Sequence, residues 1–188
     1  MVPAVNPAAA SKIRLVVVLL VAVIVQTTLT SDVRVLGVAP DLLLLVAICG
    51  GLVAGSEVGC ILGFLAGLSA DVFLTATPFG LSALTYCLVG FGVGVLRNNV
   101  LRDSWLLAPI VTFVATVVGV VGFVAFGDVV GQIGPSAAGS SWVIRVALVE
   151  GVWAAALSIV VHPLVARAGR GLVTVERLDG RPDRLPAR

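Results

Sequence analysis

Long apolar runs are the feature that most constrains this chain. The runs at 13–29, 79–96, 105–127 and 142–166 are interrupted only by isolated polar residues. A helix needs about 20 apolar residues to cross a bilayer, with about 17 at the short end. Lipid offers no partner to backbone polar groups, so such runs cross as helices. With 59% apolar and 12% charged residues, the chain is predicted to be an all-α integral membrane protein.

The run at 42–74 needs a separate interpretation. Its 33 residues would form a helix about 50 Å long, which exceeds one span. The only polar cluster within it is Gly-Ser-Glu at 55–57. We therefore expect a break there and two short helices at 42–54 and 58–74. The first is short for a span, so it either begins earlier, near Leu36, or is re-entrant.

These runs together predict six transmembrane helices. The expected organisation is a cytoplasmic N-terminal segment at 1–12, a six-span domain at 13–166 and a basic cytoplasmic tail at 167–188. Six spans place ten of the twelve basic residues on one side and leave only Arg34 and Arg145 on the other. By the positive-inside rule, we expect a multi-pass protein of a bacterial inner (plasma) membrane with both termini in the cytoplasm.

Glycines recur every fourth residue through the second and third predicted spans, at Gly51, Gly55, Gly59, Gly63 and Gly67. In water each would weaken a helix by about 1 kcal/mol, but in lipid small residues let helix backbones approach closely. The break at 55–57 leaves Gly59, Gly63 and Gly67 as one packing stripe. Gly90 and Gly94 form a second small-residue face. We expect one face to pack internally and the other to receive a partner helix.

Among the ionisable residues within the predicted spans, three need an explanation, because a charge there costs a few kcal/mol on insertion scales. Asp71 and Arg145 fall at similar depth near the outer side. They are expected to pair, to meet a partner chain or to snorkel to the interface. Glu150 lies five residues from Arg145, about 140° around the helix, so it needs a different partner. It either forms a hydrogen bond between helices or lines a polar cavity.

The sequence shows no catalytic or metal-binding pattern. His162 is the single histidine, and the chain has three cysteines, all in apolar runs: Cys49, Cys60 and Cys87. An odd number of such cysteines argues against a disulfide framework, and no cluster has metal-ligand spacing. Catalytic triad, zinc-protease and Walker patterns are missing from the sequence. A net charge of +2 does not indicate nucleic acid. We expect no cofactor, no metal and no enzymatic activity.

Four short motifs occur in a fixed order: P-D-L-L at 40–43, G-F-L-A-G-L-S-A-D at 63–71, G-L-S-A-L at 80–84 and G-F-G-V-G at 90–94. This segment, 40–96, resembles the rod shape-determining protein MreD family, whose pattern is P-D-L-L, G-F-x-x-G-L-x-x-D, G-x-x-A-L and G-[YF]-x-x-G. The positions that match the family residues are Asp41, Gly63, Gly67, Asp71 and Gly80.

The resemblance implies a non-catalytic component of the cell-wall elongation machinery. Such a protein would dock with an MreC-like bitopic scaffold and support a RodA-type glycosyltransferase and a penicillin-binding transpeptidase in peptidoglycan synthesis. It also implies a fold like the six-helix substrate-binding subunits of energy-coupling-factor transporters. The alternative function is therefore a small-solute-binding transporter subunit. That function requires an outward-open polar cavity lined by Asp71, Arg145 and Glu150.

Overall fold

Five helices make up the described part of the chain. The computed structural model describes residues 7–32, 37–73, 79–99, 107–131 and 140–179. The helices are α1 (Pro7–Asp32), α2 (Leu42–Phe73), α3 (Leu81–Asn99), α4 (Ala108–Val129) and α5 (Ser140–Asp179). By length and composition α1, α2, α4 and α5 can each cross a membrane. The apolar part of α3, Leu81–Arg97, is shorter.

The prediction of six membrane-spanning helices is wrong in its count. The described residues hold five helices and four candidate spans. The predicted spans at 42–54 and 58–74 belong to the single element α2, and the predicted span at 79–96 falls on the shorter α3. The first residues of the predicted span at 105–127 lie outside the described part. The helix α5 extends to Asp179, into the segment expected to be a tail.

The helix α2 is interrupted at one residue, Gly55. Its φ of 85° and ψ of −175° lie where glycine is favoured because it has no Cβ. A Cβ built on Gly59 would lie 2.7 Å from the Cα of Gly51, whereas eight residues of straight helix span about 12 Å. The two arms of α2, at 42–54 and 56–73, therefore fold back on each other. The expected break is confirmed, and the helix begins at Leu42 rather than near Leu36.

The second arm of α2 packs backbone to backbone against α3. At each contact a Cβ added to one glycine would overlap the main chain of the neighbouring helix. The contacting pairs are Gly59 with Gly90, Gly63 with Tyr86, Gly67 with Ser82, and Gly94 with Ser56. Residue numbers rise along α2 as they fall along α3, so the two segments are antiparallel. This spacing is possible only because the side chains between the helices are missing or small.

The two glycine faces identified in the sequence therefore pack against each other. Gly59, Gly63, Gly67, Gly90 and Gly94 are all buried, so neither face is open to a helix from another protein. This corrects the expectation that one of them receives a partner. The same interface brings the sulfurs of two free cysteines, one from each helix, to 2.8 Å: Cys60 and Cys87.

The outer helices α1, α4 and α5 surround α2, which forms the core of the bundle. Leu45, Ile48 and Cys49 of α2 are 0% exposed. In contrast, α1 buries one stripe and leaves large apolar residues on its other face, where lipid is the expected contact. These exposed residues are Ile13, Val16, Val17, Leu20, Val21 and Ile24.

The bundle has two distinct ends, which we call the turn end and the open end. The turn end contains Gly55, and the open end contains the outer ends of both arms of α2. The Gly171 N–H donates to Ser11 Oγ at 3.0 Å, and Gly169 lies beside Val53. The start of α1 and the late part of α5 are therefore together at the turn end. The Leu42 N–H donates to Gln26, which places the last part of α1 at the open end.

Replacing Gly63 by alanine should destabilise the protein, whereas Gly92→Ala should not. Alanine gains up to about 1 kcal/mol in helix propensity. At Gly63 the added Cβ would overlap the Tyr86 backbone, and overpacking costs about 1–3 kcal/mol. At Gly92 nothing lies within 4 Å. Unfolding by SDS titration in mixed micelles measures both variants. Equal stability would show that α2 and α3 are not in contact at Gly63.

Candidate functional site at the open end of the bundle

Asp41 joins the start of α2 to α3. Its Oδ1 accepts the backbone N–H groups of Leu43 and Leu44, each at 3.0 Å. These groups lack partners inside the helix, and an aspartate before the first turn is a favoured acceptor for them. The other carboxylate oxygen accepts the hydroxyl of Tyr86, a buried residue of α3. One carboxylate thus caps one helix and holds a second.

Gln26 attaches α1 to the same place. Its Oε1 accepts the Leu42 N–H at 2.8 Å, and its Nε2 donates to the Pro40 carbonyl at 3.1 Å. Both backbone groups flank Asp41, so the side chain bridges the segment that enters α2. The amide supplies one donor and one acceptor to this bridge, and this explains why a strongly polar residue stands in the apolar part of α1.

Asp71 caps α3 from the second arm of α2. Its carboxylate accepts three backbone N–H groups, from Gly80 at 2.8 Å, Ser82 at 3.1 Å and Ala83 at 3.3 Å. The residue is 4% exposed, and several N–H donors satisfy a buried carboxylate without a cation. Gly80 turns the chain into α3 with a φ of 102°. Asp41 and Asp71 therefore cap successive helices at one end of the bundle.

The expected ion pair between Asp71 and Arg145 does not form among the residues that the structure describes. The contacts of Asp71 are to backbone N–H groups, and Arg145 is exposed on the first part of α5. Asp71 itself is buried, with these N–H groups as its partners. A contact of Arg145 with a partner chain stays a prediction.

Glu150 is partly buried on α5. It lies close enough to Asp41 and Tyr86 to interact with them electrostatically. It thus belongs to the same polar region as the two caps, although it caps no helix itself. In the described part of the chain, no set of three His, Cys, Asp or Glu side chains is arranged to hold a metal ion. The arrangement is suited to holding helix ends together and to placing acidic groups near one membrane face.

A cleft of about 530 Å³ lies between α3 and α4, and we call it the α3/α4 cleft. It runs from Thr85 and Phe126 towards the open end to Leu96 and Ile110 towards the turn end. A second cavity lies between α1 and α5 at the turn end. Neither is lined by the residues that the transporter function requires, which are Asp71, Arg145 and Glu150.

Two residues of this site, Tyr86 and Gln26, were not identified from the sequence. Tyr86 is the only tyrosine of the chain, and a hydroxyl within an apolar run usually has a hydrogen-bond partner. Gln26 is the only strongly polar residue of the run at 15–29. The sequence therefore shows that each side chain needs a hydrogen-bond partner. It does not identify that partner, because each partner lies on another segment of the chain.

The fold and its two aspartate caps define a multi-pass helical membrane protein in which Gln26, Asp41 and Asp71 fix helix ends. The family model for the rod shape-determining protein MreD matches residues 10–167, which is well over half of the 188 residues. The chain therefore belongs to the MreD family. No curated protein and no solved structure is significantly similar to it. The resemblance found in the motifs between 40 and 96 is confirmed.

Replacing Asp71 by alanine should cost about 2 kcal/mol of unfolding free energy, since three backbone N–H groups, two of them buried, lose their acceptor. Asp71→Asn keeps one carbonyl acceptor and should cost less. Arg145→Ala should stay within about 0.5 kcal/mol, as is usual for an exposed residue.

The double variant distinguishes a helix cap from an ion pair. With Asp71 bonded to backbone, the effects of Asp71→Ala and Arg145→Ala should add within about 0.5 kcal/mol when measured by SDS titration. A larger coupling would contradict the cap and restore the ion pair.

Proposed function

We propose that this MreD-family protein is a non-catalytic inner-membrane component of the cell-wall elongation machinery. It docks with an MreC-like bitopic scaffold, and through that scaffold it supports a RodA-type glycosyltransferase and a penicillin-binding transpeptidase. The observation that carries the proposal is the family match over residues 10–167. The engagement of Asp41 and Asp71 with backbone groups and Tyr86 supports a structural role for these carboxylates.

The α3/α4 cleft is the surface that we propose for the span of the scaffold. Gly92 has nothing within 4 Å of a built Cβ, and Gly122 has only the Thr85 methyl at 4.0 Å. Both glycines line the cleft. A glycine inside a helix costs about 1 kcal/mol relative to alanine, and elsewhere in this bundle close packing offsets that cost. A helix from another protein would supply the same compensation here.

Docking in this cleft needs no rearrangement of the protein. The apolar lining reaches from Phe126 and Thr85 to Leu96 and Ile110, which on α4 is about 24 Å of helix. This length is most of the thickness of a bilayer core. A preformed surface avoids part of the ordering cost of association, so the scaffold would be held at a fixed place on the bundle.

The test fills the cleft without disturbing the interior. Gly92→Leu with Gly122→Leu places side chains in open space, so the protein should fold. The amount of MreC-like scaffold that co-purifies from cells after crosslinking should fall at least tenfold, and rod shape should be lost. Ala125→Leu on α4 and Ala156→Leu on α5 are matched controls, because both positions are exposed and lie outside the cleft lining.

Two results would contradict this proposal in different ways. Retention of the scaffold and of rod shape by the double leucine variant would exclude the α3/α4 cleft as the docking surface. Failure of the wild-type protein to crosslink any MreC-like scaffold would exclude the docking function itself.

We further propose that both termini face the cytoplasm. The Ser11–Gly171 hydrogen bond supports a common location for the start of α1 and the late part of α5. Lys12, Arg14 and Arg167 are exposed near this turn end. Basic residues near the ends of spans are retained on the cytoplasmic side, so the open end with its aspartate caps would face the periplasm.

Alkaline phosphatase fusions test this orientation. Phosphatase is active only after export, so fusions at residue 1 and residue 188 should be inactive. An insertion after Gly131 should be active, because α4 ends at the open end, where Gly127 contacts Leu81. Activity at either terminus, with an inactive insertion at Gly131, would reverse the proposed orientation.

A further inference from the structure

A cavity of about 430 Å³ lies between α1 and α5 at the turn end of the bundle. Its walls are apolar except for two arginines, one from each helix. The lining residues are Ile13, Arg14, Val17, Val18, Arg167 and Ala168. None of these described lining residues carries a carboxylate. Among the residues that the structure describes, neither Arg14 nor Arg167 forms an ion pair.

The two walls of this cavity are held at a fixed separation. Towards the chain termini, the Gly171 N–H donates to Ser11 Oγ, and Ser11 is 1% exposed. Towards the core, Leu15 of α1 and Val165 of α5 belong to one buried apolar cluster. The arginines therefore extend from two helices that are fixed against each other.

The location of the cavity matches the boundary of a bilayer. The candidate span of α1 is Ala9–Thr28, and that of α5 is Ser141–Gly171. Arg14 and Arg167 thus lie within the first turns of the spans at the turn end. Deeper along α1 the lining is apolar, at Val17 and Val18, and Val17 is 51% exposed. A ligand here meets cations at the interface and hydrocarbon-like surface below.

From this arrangement we propose that the α1/α5 cavity binds one anionic phospholipid. Its phosphate lies between Arg14 and Arg167, which suit phosphate because guanidinium groups donate paired hydrogen bonds. One acyl chain lies along Ile13, Val17 and Val18. Basic pockets between spanning helices bind anionic headgroups in this way. A zwitterionic lipid is disfavoured, since no carboxylate in the lining meets its ammonium group. This inference does not depend on scaffold docking.

Native mass spectrometry of the full chain, purified and reconstituted with phosphatidylglycerol or phosphatidylcholine vesicles, tests the proposal. The wild-type protein should retain one phosphatidylglycerol and little phosphatidylcholine. Arg14→Gln or Arg167→Gln should weaken retention about fivefold, and both together about thirtyfold. Arg145→Gln removes an exposed arginine at the other end of α5 and Lys12→Gln an exposed lysine outside the lining, so both should behave as wild type.

Two further measurements distinguish lipid binding from simple anion binding and from loss of folding. Millimolar inorganic phosphate should not displace the lipid, because it makes no use of the apolar wall, and displacement would mean a simple anion site. The double glutamine variant should keep the wild-type thermal midpoint in phosphatidylcholine, which shows that it folds. Wild-type retention of phosphatidylglycerol by that variant, or equal binding of both lipids by the wild type, would overturn the proposal.

Discussion

The close approach of α2 and α3 is the constraint on which the rest of this structure depends. Inside a bilayer the hydrophobic effect does not drive helices together, so association relies on packing and hydrogen bonds. Gly59, Gly63 and Gly67 let the second arm of α2 contact the main chain of α3. The reversal at Gly55 then places the first arm against the same pair. Without this contact, the second arm of α2 and the short α3 would lose what holds them against each other.

Close packing along the helices does not provide hydrogen-bond partners for the backbone groups at the helix ends, which need partners of their own. At the open end three side chains do this by bonding to backbone: Gln26, Asp41 and Asp71. Gln26 joins α1 to α2, Asp71 joins α2 to α3, and Asp41 also accepts the hydroxyl of Tyr86 on α3, so capping and assembly are the same interactions. A carboxylate surrounded by N–H donors can be buried at a far lower cost than an isolated charge. This is how two aspartates are tolerated in a chain with so few charged residues.

Much of the architecture could be predicted from the sequence, and the errors share a physical cause. Hydropathy identified the helical class, and the polar cluster at 55–57 located the break that the structure places at Gly55. The MreD resemblance rested on motif order and was confirmed. The expected ion pair of Asp71 with Arg145 was wrong because backbone N–H groups at a helix start satisfy a carboxylate as an arginine does. Backbone donors are not visible in the amino-acid sequence, whereas arginines are.

The partners of the two glycine faces could not be predicted from the sequence either. Periodicity established that Gly59 and Gly90 each lie on a close-packing surface, but it carries no information about what each surface meets. The count of six spans was wrong for a related reason. Hydropathy locates apolar residues, yet the structure joins two of the predicted segments into one interrupted element and leaves α3 short. The roles of Tyr86 and Gln26 depend on contacts made only after the helices assemble.

The backbone-to-backbone character of the α2–α3 contact has a consequence for how such a protein diverges over evolution. The positions that cannot change are few: the glycines at the contact, the reversal at Gly55 and the side chains that cap helices. The exposed apolar positions on α1, α4 and α5 need only remain apolar, so Leu, Ile and Val can replace one another there. A lineage can therefore lose most of its overall sequence identity while this sparse pattern persists.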